Sequence, residues 1–440
     1  MPLVAVVFAL DSFVCLGHFV DMSEMRQIPD CNAIVVGAGL AGLAGALALA
    51  NAGATVYLCD AGRRPNGKSG GVKADPRVTA LSPSSVTMLE ALGVPGDLRA
   101  VPVAGMQVTA AHPDAGLGGG LLAFGDAGQT DAPLAYIQPN GDLHRSLLAA
   151  AGAHPDIRLI FDATIERVDV QDAQAALVCA DGQVFQTQLL IGADGRRSVM
   201  RQQAGIAVHD HDYGATAIVT TITHTAPHEQ IARQFFKPGG PLACLPLGKA
   251  RNGWLTSVVW PETNELAAAL LGLRRRDLQA ELADRLDGLL GEVIQIQPPV
   301  SYPLGLMLAE TYVGQRMALL GEAAHIIHPL AGQGYNLTLR DAAQLADCFY
   351  DARRLGLDVG AATTLAHYDS LRRRDVSLMA SATHVFATAF SGRRTLLTPL
   401  RKAVFSAANR LPFVRHHANR TADMGLGPAP RLLRGEAFDG

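Results

Sequence analysis

Residues 31–60 constrain the fold more than any other stretch of this chain. Cys31-Asn32-Ala33-Ile34-Val35-Val36 is a short β-branched apolar run of the kind buried on both faces of a parallel sheet. It leads directly into Gly37-Ala38-Gly39-Leu40-Ala41-Gly42, then an Ala/Leu-rich helix to about Asn51 and a stop at Gly53. A second strand, Thr55–Cys59, follows and is closed by Asp60. Gly37 permits the tight turn, Gly39 lets the backbone approach a pyrophosphate, and Gly42 lets helix and strand pack closely. The helix N-terminus offers unpaired N–H groups and about half a positive charge. Asp60 stands where a carboxylate meets ribose hydroxyls. An acid there disfavours a 2′-phosphate, so the nucleotide reads as FAD or NAD rather than NADP. A merely close-packed turn is the plain alternative, and it leaves the acid unexplained.

Two later motifs choose between the nucleotides. Gly192-Ala193-Asp194-Gly195-Arg196-Arg197-Ser198-Val199-Met200-Arg201 follows the apolar strand Leu189–Ile191, and Arg197 and Arg201 are expected beside a phosphate-rich ligand. Past Ala318–Leu320 comes Gly321-Glu322-Ala323-Ala324-His325. It is followed by His328-Pro329-Leu330-Ala331-Gly332-Gln333-Gly334-Tyr335-Asn336 and a helix to about Leu345. Glu322 can accept from ribityl hydroxyls, while the Gly-rich turn offers N–H groups to a ring carbonyl such as flavin O2.

Together the three motifs resemble those of the single-component flavoprotein aromatic hydroxylases, the para-hydroxybenzoate hydroxylase-like monooxygenases. Asp75-Pro76-Arg77-Val78-Thr79-Ala80-Leu81-Ser82, Leu89–Val94, and the tail segments Thr398–Arg401 and Thr421–Gly425 are similar to the ubiquinone-biosynthesis branch. The resemblance runs from about Cys31 to Gly425. It implies an α/β fold: a Rossmann-like FAD-binding domain with an inserted β-sheet substrate domain and a helical C-terminus. It also implies bound FAD, with NAD(P)H and O2 as co-substrates. The implied reaction is ring hydroxylation of a polyprenyl-phenol through a flavin C4a-hydroperoxide.

By matching position, Gly37, Ala38, Gly39, Leu40, Ala41, Gly42 and Asp60 would hold the ADP half of FAD, and Arg77 would lie near the flavin. Asp194 and Gly195 would support the pyrophosphate, and Glu322 the ribityl chain. Pro329, Gly332, Gln333, Gly334 and Asn336 would frame the isoalloxazine. Gln138-Pro139-Asn140 departs from the Arg or Glu-Asn that many members carry, but related hydroxylases place a flavin-contacting glutamine there, so Gln138 is a further flavin contact by resemblance. Glu322 departs too, standing where the family usually has Asp, one methylene longer with the carboxylate kept. No acid/base triad is evident, as suits chemistry carried by a flavin. His325, His328 and Pro329 flank the turn and are the catalytic candidates, since imidazole titrates near neutrality and can influence phenol deprotonation. Packing is their alternative role.

Composition removes other classes. Lys+Arg 37 against Asp+Glu 40 leaves a net charge of -3, which excludes nucleic-acid binding through bulk positive charge, and 5% aromatics supply few stacking platforms. The six cysteines form no CxxC pair, so neither a metal site nor a disulfide framework is expected, and a reducing compartment is. There is no second Gly-rich fingerprint, so NAD(P)H must dock without a Rossmann domain of its own. Trp254 and Trp260 read as core residues.

A length of 440 residues suits two or three domains. Residues 1–30 are expected to be a poorly ordered extension. Leu3–Val20 is interrupted by Asp11, Ser12, Gly17 and His18, and lacks a signal peptide's basic start. Residues 31–104, 136–205 and 302–370 form the expected FAD-binding domain, 105–135 and 206–301 the substrate domain, and 371–440 a helical C-terminal region. Arg393, Arg394, Arg401, Lys402, Arg410, Arg415 and Arg420 are interleaved with apolar residues and no acid. A solvated face is one reading; contact with an anionic membrane surface, at about 1 kcal/mol per basic residue, is the other. The expectation is a cytoplasmic protein peripheral at the membrane, in a biosynthetic complex or homo-oligomer, with no nucleic-acid partner. A hydroxylase of a soluble phenol or polyketide and a non-catalytic flavin-binding scaffold stay open as alternatives.

Overall fold

The first apolar run forms a strand, Gln27–Val36, which begins four residues ahead of Cys31. It lies between Val56–Cys59 and Val184–Gly192, parallel to both. Ile157–Ile160 and Met317–Leu319 extend the parallel order outward. Antiparallel strands Val313–Gly314, Ala175–Cys179 and Ile165–Val170 complete eight strands. The computed structural model describes residues 27–64, 75–110, 121–124, 133–237, 240–329, 332–391 and 423–438.

Helices α1 (Leu40–Asn51), α2 (Pro83–Ala91), α3 (Asn140–Ala153), α4 (Val199–Gln203), α5 (Asn264–Leu271), α6 (Arg275–Leu286), α7 (Gly334–Arg354) and α8 (Ala362–Ser391) follow in order. α1 is buried from Gly42 to Ala50, as its uniformly apolar composition requires. It shares one core with the parallel strands, with Leu337 to Phe349 of α7 and with Leu365 and Tyr368 of α8.

A nine-stranded sheet forms the second layer, built around the long strands Val208–His224, Gly253–Thr263, Gly240–Ala250 and Val300–Ala309. Gly105–Ala110 joins it by pairing in parallel with Ile231–Lys237. Trp260, Ile218 and Ile222 on one face pack against Leu270, Leu278, Leu282 and Leu286 of α5 and α6. The two helices are parted at Gly272, the C-cap of α5. A small sheet of Val78–Leu81, Ala135–Pro139 and Pro102–Val103 lies at the joint, its Val78, Ala80 and Ile137 packed with Ala232 and Leu245 of the large sheet. Trp260 is core as expected. Trp254 instead is half-buried and lines a cavity of about 360 Å³ with Pro102, His228 and Lys249.

Within the C-terminal region the described helix stops at Ser391, and 423–438 returns as mostly irregular chain. It is anchored, with Asp423 accepting from Ser84 N–H at 3.0 Å and Leu432 and Leu433 buried in the main core. The expectations for residues 1–26, and for the basic segment from Arg393 to Arg420, lie outside the described residues. Among the described residues no helix is long and apolar enough to cross a membrane. The five described cysteines are buried.

Candidate functional site

The glycine turn is shaped by close approach. Gly37 has φ +106°, and a Cβ on Gly42 would stand 1.8 Å from Gly37 O. Asp60 fixes the same turn from the end of the second strand: its carboxylate accepts from Ala38 N–H at 2.6 Å and Gly62 N–H at 2.7 Å. A carboxylate has about four acceptor sites, so capacity for ribose hydroxyls remains. His144 of α3 contacts Ala38 O at 2.8 Å, and the Tyr335 hydroxyl donates to Leu40 O at 3.1 Å. The starts of α1 and α7 are thereby tied together.

Those two helix starts share an electrostatic peculiarity. α2, α4 and α5 are capped by the side chains of Ser82, Ser198 and Thr263, and α3 and α6 carry Asp142 and Asp277 in their first turns. α8 carries no acid in its first turn, and the N-caps of α1 and α7, Gly39 and Gln333, have neither device. Their first N–H groups and positive dipole ends are left for another acceptor. Among the described residues nothing lies within 4 Å of the Cβ positions of Gly39, Gly195 or Gly334, so a ligand can approach the backbone at all three.

The second motif serves largely to build. Asp194 caps α4, accepting from Ser198 Oγ, from Val199 N–H at 2.6 Å and from Met200 N–H at 3.1 Å. Arg201, expected beside phosphate, is instead buried. Its guanidinium donates to Ala323 O at 2.8 Å and Arg196 O at 2.9 Å, joining the second motif to the third. Arg197 is exposed and precedes α4.

The third motif rests on a buried ionic network. Asp341 of α7 accepts from Gly321 N–H at 3.1 Å, His325 Nε2 at 2.7 Å and Arg372 Nε at 2.7 Å. Arg372 also meets Asp375, which meets Arg340. Burial alone would raise the Asp341 carboxyl, but the His325 and Arg372 charges outweigh it and hold the group below the ordinary carboxylate range. The Nε2 of His325 is thus engaged in holding the turn, the packing role weighed for it above. Glu322 is exposed and within electrostatic reach of Arg77 and of Tyr302, whose hydroxyl burial pushes up to about 12. Arg77 is paired with Asp75 at 2.8 Å.

At the flavin-motif turn the Asn336 carboxamide accepts from Ser82 N–H at 3.0 Å and donates to Ala80 O at 2.9 Å. Asn336 therefore fastens the turn to Val78–Leu81, and what it offers a ring is backbone. Gly332 abuts the same strand, its Cβ position 3.0 Å from the Ala80 methyl. Gln138, 8% exposed, donates to Asp97 O at 3.1 Å. Two buried atoms here, Gln333 Oε1 and His328 Nδ1, have no hydrogen-bond partner among the described residues. An orphaned buried polar atom costs about 1–3 kcal/mol, and such atoms concentrate where a ligand completes the set.

His328 is 4% exposed. Burial, reinforced by nearby His384, lowers it from 6.5 to about 4. Between those values the unfolded chain binds more protons than the folded one, so stability rises with pH across that window. The melting temperature should fall as pH is lowered from about 6.5 to about 4, and His328→Asn should flatten that slope. Equal slopes in the two proteins would remove His328 as the cause.

A family model for the FAD binding domain matches residues 30–377. The chain belongs to that family. It is 37% identical over 413 residues to the ubiquinone hydroxylase UbiL of Rhodospirillum rubrum, covering 91% of this chain and 92% of that one. It is 32% identical to the 3-demethoxyubiquinol 3-hydroxylase of Escherichia coli, covering 89% and 98%. Within the FAD-binding family it therefore groups with the ubiquinone hydroxylases. The crystal structure of p-nitrophenol 4-monooxygenase PnpA from Pseudomonas putida superposes with a TM-score of 0.71 at 20% identity, covering 90% of this chain and 97% of that one, which establishes the shared fold.

The residues present fit FAD. The open starts of α1 and α7, the unfilled positions above Gly39, Gly195 and Gly334, and the orphaned Gln333 Oε1 supply donors, space and an acceptor where an extended dinucleotide needs them. Reading the sequence missed Asp341, Arg372, His144, Tyr213 and His384. For Asp341 a signal existed, since the charged pair Arg340-Asp341 falls among Leu337, Leu339, Ala342 and Ala343 of α7.

Proposed function

We propose that the protein is an FAD-dependent monooxygenase that hydroxylates the aromatic ring of a polyprenyl-phenol intermediate of ubiquinone biosynthesis, with NAD(P)H and O2 as co-substrates. The observation that carries this reading is the pair of uncapped helix starts, Gly39 and Gln333, tied together beside the substrate sheet in a chain of this family. The ADP half is held by the α1 turn and Asp60, the pyrophosphate by Asp194 and Gly195 through backbone, and the ribityl chain by Glu322. The ring edge meets Pro329, Gly332, Gln333 and Gly334, with Arg77 and Gln138 near it. Bound FAD supplies the activated oxygen; the chain binds, orients and excludes water.

At the substrate, His328 is the group beside the phenolic hydroxyl. Neutral and buried, it accepts that hydrogen bond and makes the ring more electron-rich. The basic segment from Arg393 to Arg420 meets the membrane surface that holds so apolar a substrate. The test is incubation of the FAD-loaded chain with NAD(P)H, ¹⁸O₂ and a short-tailed prenylphenol. Product carrying one labelled ring oxygen is expected. Flavin reduction and peroxide release without labelled product, across a series of ring-substituted prenylphenols, would sink the reading.

A further inference from the structure

Four rings meet where the substrate sheet, the flavin turn and α8 come together. Tyr213 and His211 come from the strand Val208–His224, His328 from the turn and His384 from α8. The Tyr213 hydroxyl lies 2.9 Å from His384 Nδ1. Tyr213 stands edge-on to His328, with centroids 5.0 Å apart and planes at 81°. His211 packs on Tyr213 at 4.9 Å and on His384 at 5.3 Å. The array runs from a buried end at His328 to an exposed end at His211.

Resting on His328 as the group beside the phenolic hydroxyl, we propose that Tyr213 and His384 are positioning residues that hold its ring as a neutral hydrogen-bond acceptor for the substrate. A buried imidazole with an unpartnered nitrogen gains by rotating toward any donor. The edge of Tyr213 opposes that rotation, and Tyr213 is itself fixed by its hydroxyl on His384. Among the described residues, the titratable rings in contact with Tyr213 are His211 of its own strand, His328 of the turn and His384 of α8. Burial keeps the acceptor uncharged, and the nearby His384 acts in the same direction. Because the three contributors belong to three elements, the ring is set only when the substrate sheet and α8 are both docked on the turn.

The test is a mutant cycle on the full FAD-loaded chain with a short-tailed prenylphenol. Tyr213→Phe and His384→Ala should each lower kcat about tenfold, with KM and FAD affinity within about twofold, because a misaimed acceptor costs rate more than binding. His384→Asn, which restores a partner near the Nδ1 position, should recover part of the loss. In a His328→Ala background, Tyr213→Phe should cost nothing further. Independently of turnover, NMR titration of ¹⁵N-labelled histidine without substrate should show His328 titrating at higher pH in His384→Asn, since the lowering by the neighbouring imidazole is gone. Additive losses on the His328→Ala background, an unmoved His328 titration, or FAD affinity falling in step with rate would overturn the assignment. A wild-type protein that hydroxylates normally while these tests fail would leave the proposed function standing. A wild-type protein that gives no ring-hydroxylated product would remove both.

Discussion

Gly42→Ala should yield a protein that does not retain flavin. The new methyl would lie 1.8 Å from Gly37 O, far inside any real contact, and the clashing atom is backbone rather than a side chain that could swing away. α1 must therefore withdraw from its own turn. Overpacking of this kind costs about 1–3 kcal/mol of stability. The larger effect falls on the ligand, because the N–H groups at the α1 start leave hydrogen-bond range. Losing two bonds to charged phosphate, at about 1.5–3 kcal/mol each, weakens FAD by roughly 10²–10⁴-fold. Gly39→Ala is the informative contrast. Its methyl meets nothing among the described residues within 4 Å, so the apoprotein should melt normally while FAD, which needs that space, binds weakly. Flavin content after purification and titration of the apoprotein with FAD measure both. Wild-type flavin occupancy in Gly42→Ala would refute the assignment of this turn.

Asp341→Ala should be the most destabilising single change among the buried polar residues. The carboxylate is 0% exposed and serves a backbone N–H, an imidazole and a guanidinium at once. Removing one partner of a buried ionic set leaves the others uncompensated, at a cost of roughly 3–5 kcal/mol. The loss should appear in thermal and urea unfolding, and FAD affinity should fall with it because Gly321 and His325 lose their anchor. Asp341→Asn keeps an acceptor and should cost less. The depressed carboxyl gives a pH signature as well: its contribution is complete above the ordinary carboxylate value of 3.8 and disappears as pH falls through the lower folded value. An Asp341→Ala protein that unfolds like wild type would show that the network adds nothing.

The dinucleotide turn was legible because each of its constraints is local. A strand, three glycines, a helix and an acid occupy thirty consecutive residues, and their chemistry follows from spacing alone. Side chains that act across long separations were not. Asn336 and Arg201 sit inside recognisable motifs, yet their partners are Ala80, Ser82 and Ala323, reachable only once the sheets have closed. His325 looked like its neighbour His328. What separates them is an aspartate 16 positions away that faces one imidazole and not the other. Tyr213 and His384 carry no local signal at all, since each is an ordinary polar residue until a strand and a helix bring them together 171 positions apart.

The parallel sheet draws its strands from residues 27–36, 56–59, 157–160, 184–192 and 317–319, with the long strands of the substrate layer threaded between the last two and Gly105–Ala110 between the second and third. Anyone wishing to swap substrate recognition between relatives therefore cannot do it with a single crossover. A graft must enter and leave twice, once around Gly105–Ala110 and once around Val208–Ala309. A chimera joined at only one of these seams would lack half of the parallel pairing between Gly105–Ala110 and Ile231–Lys237 and would be expected to misassemble.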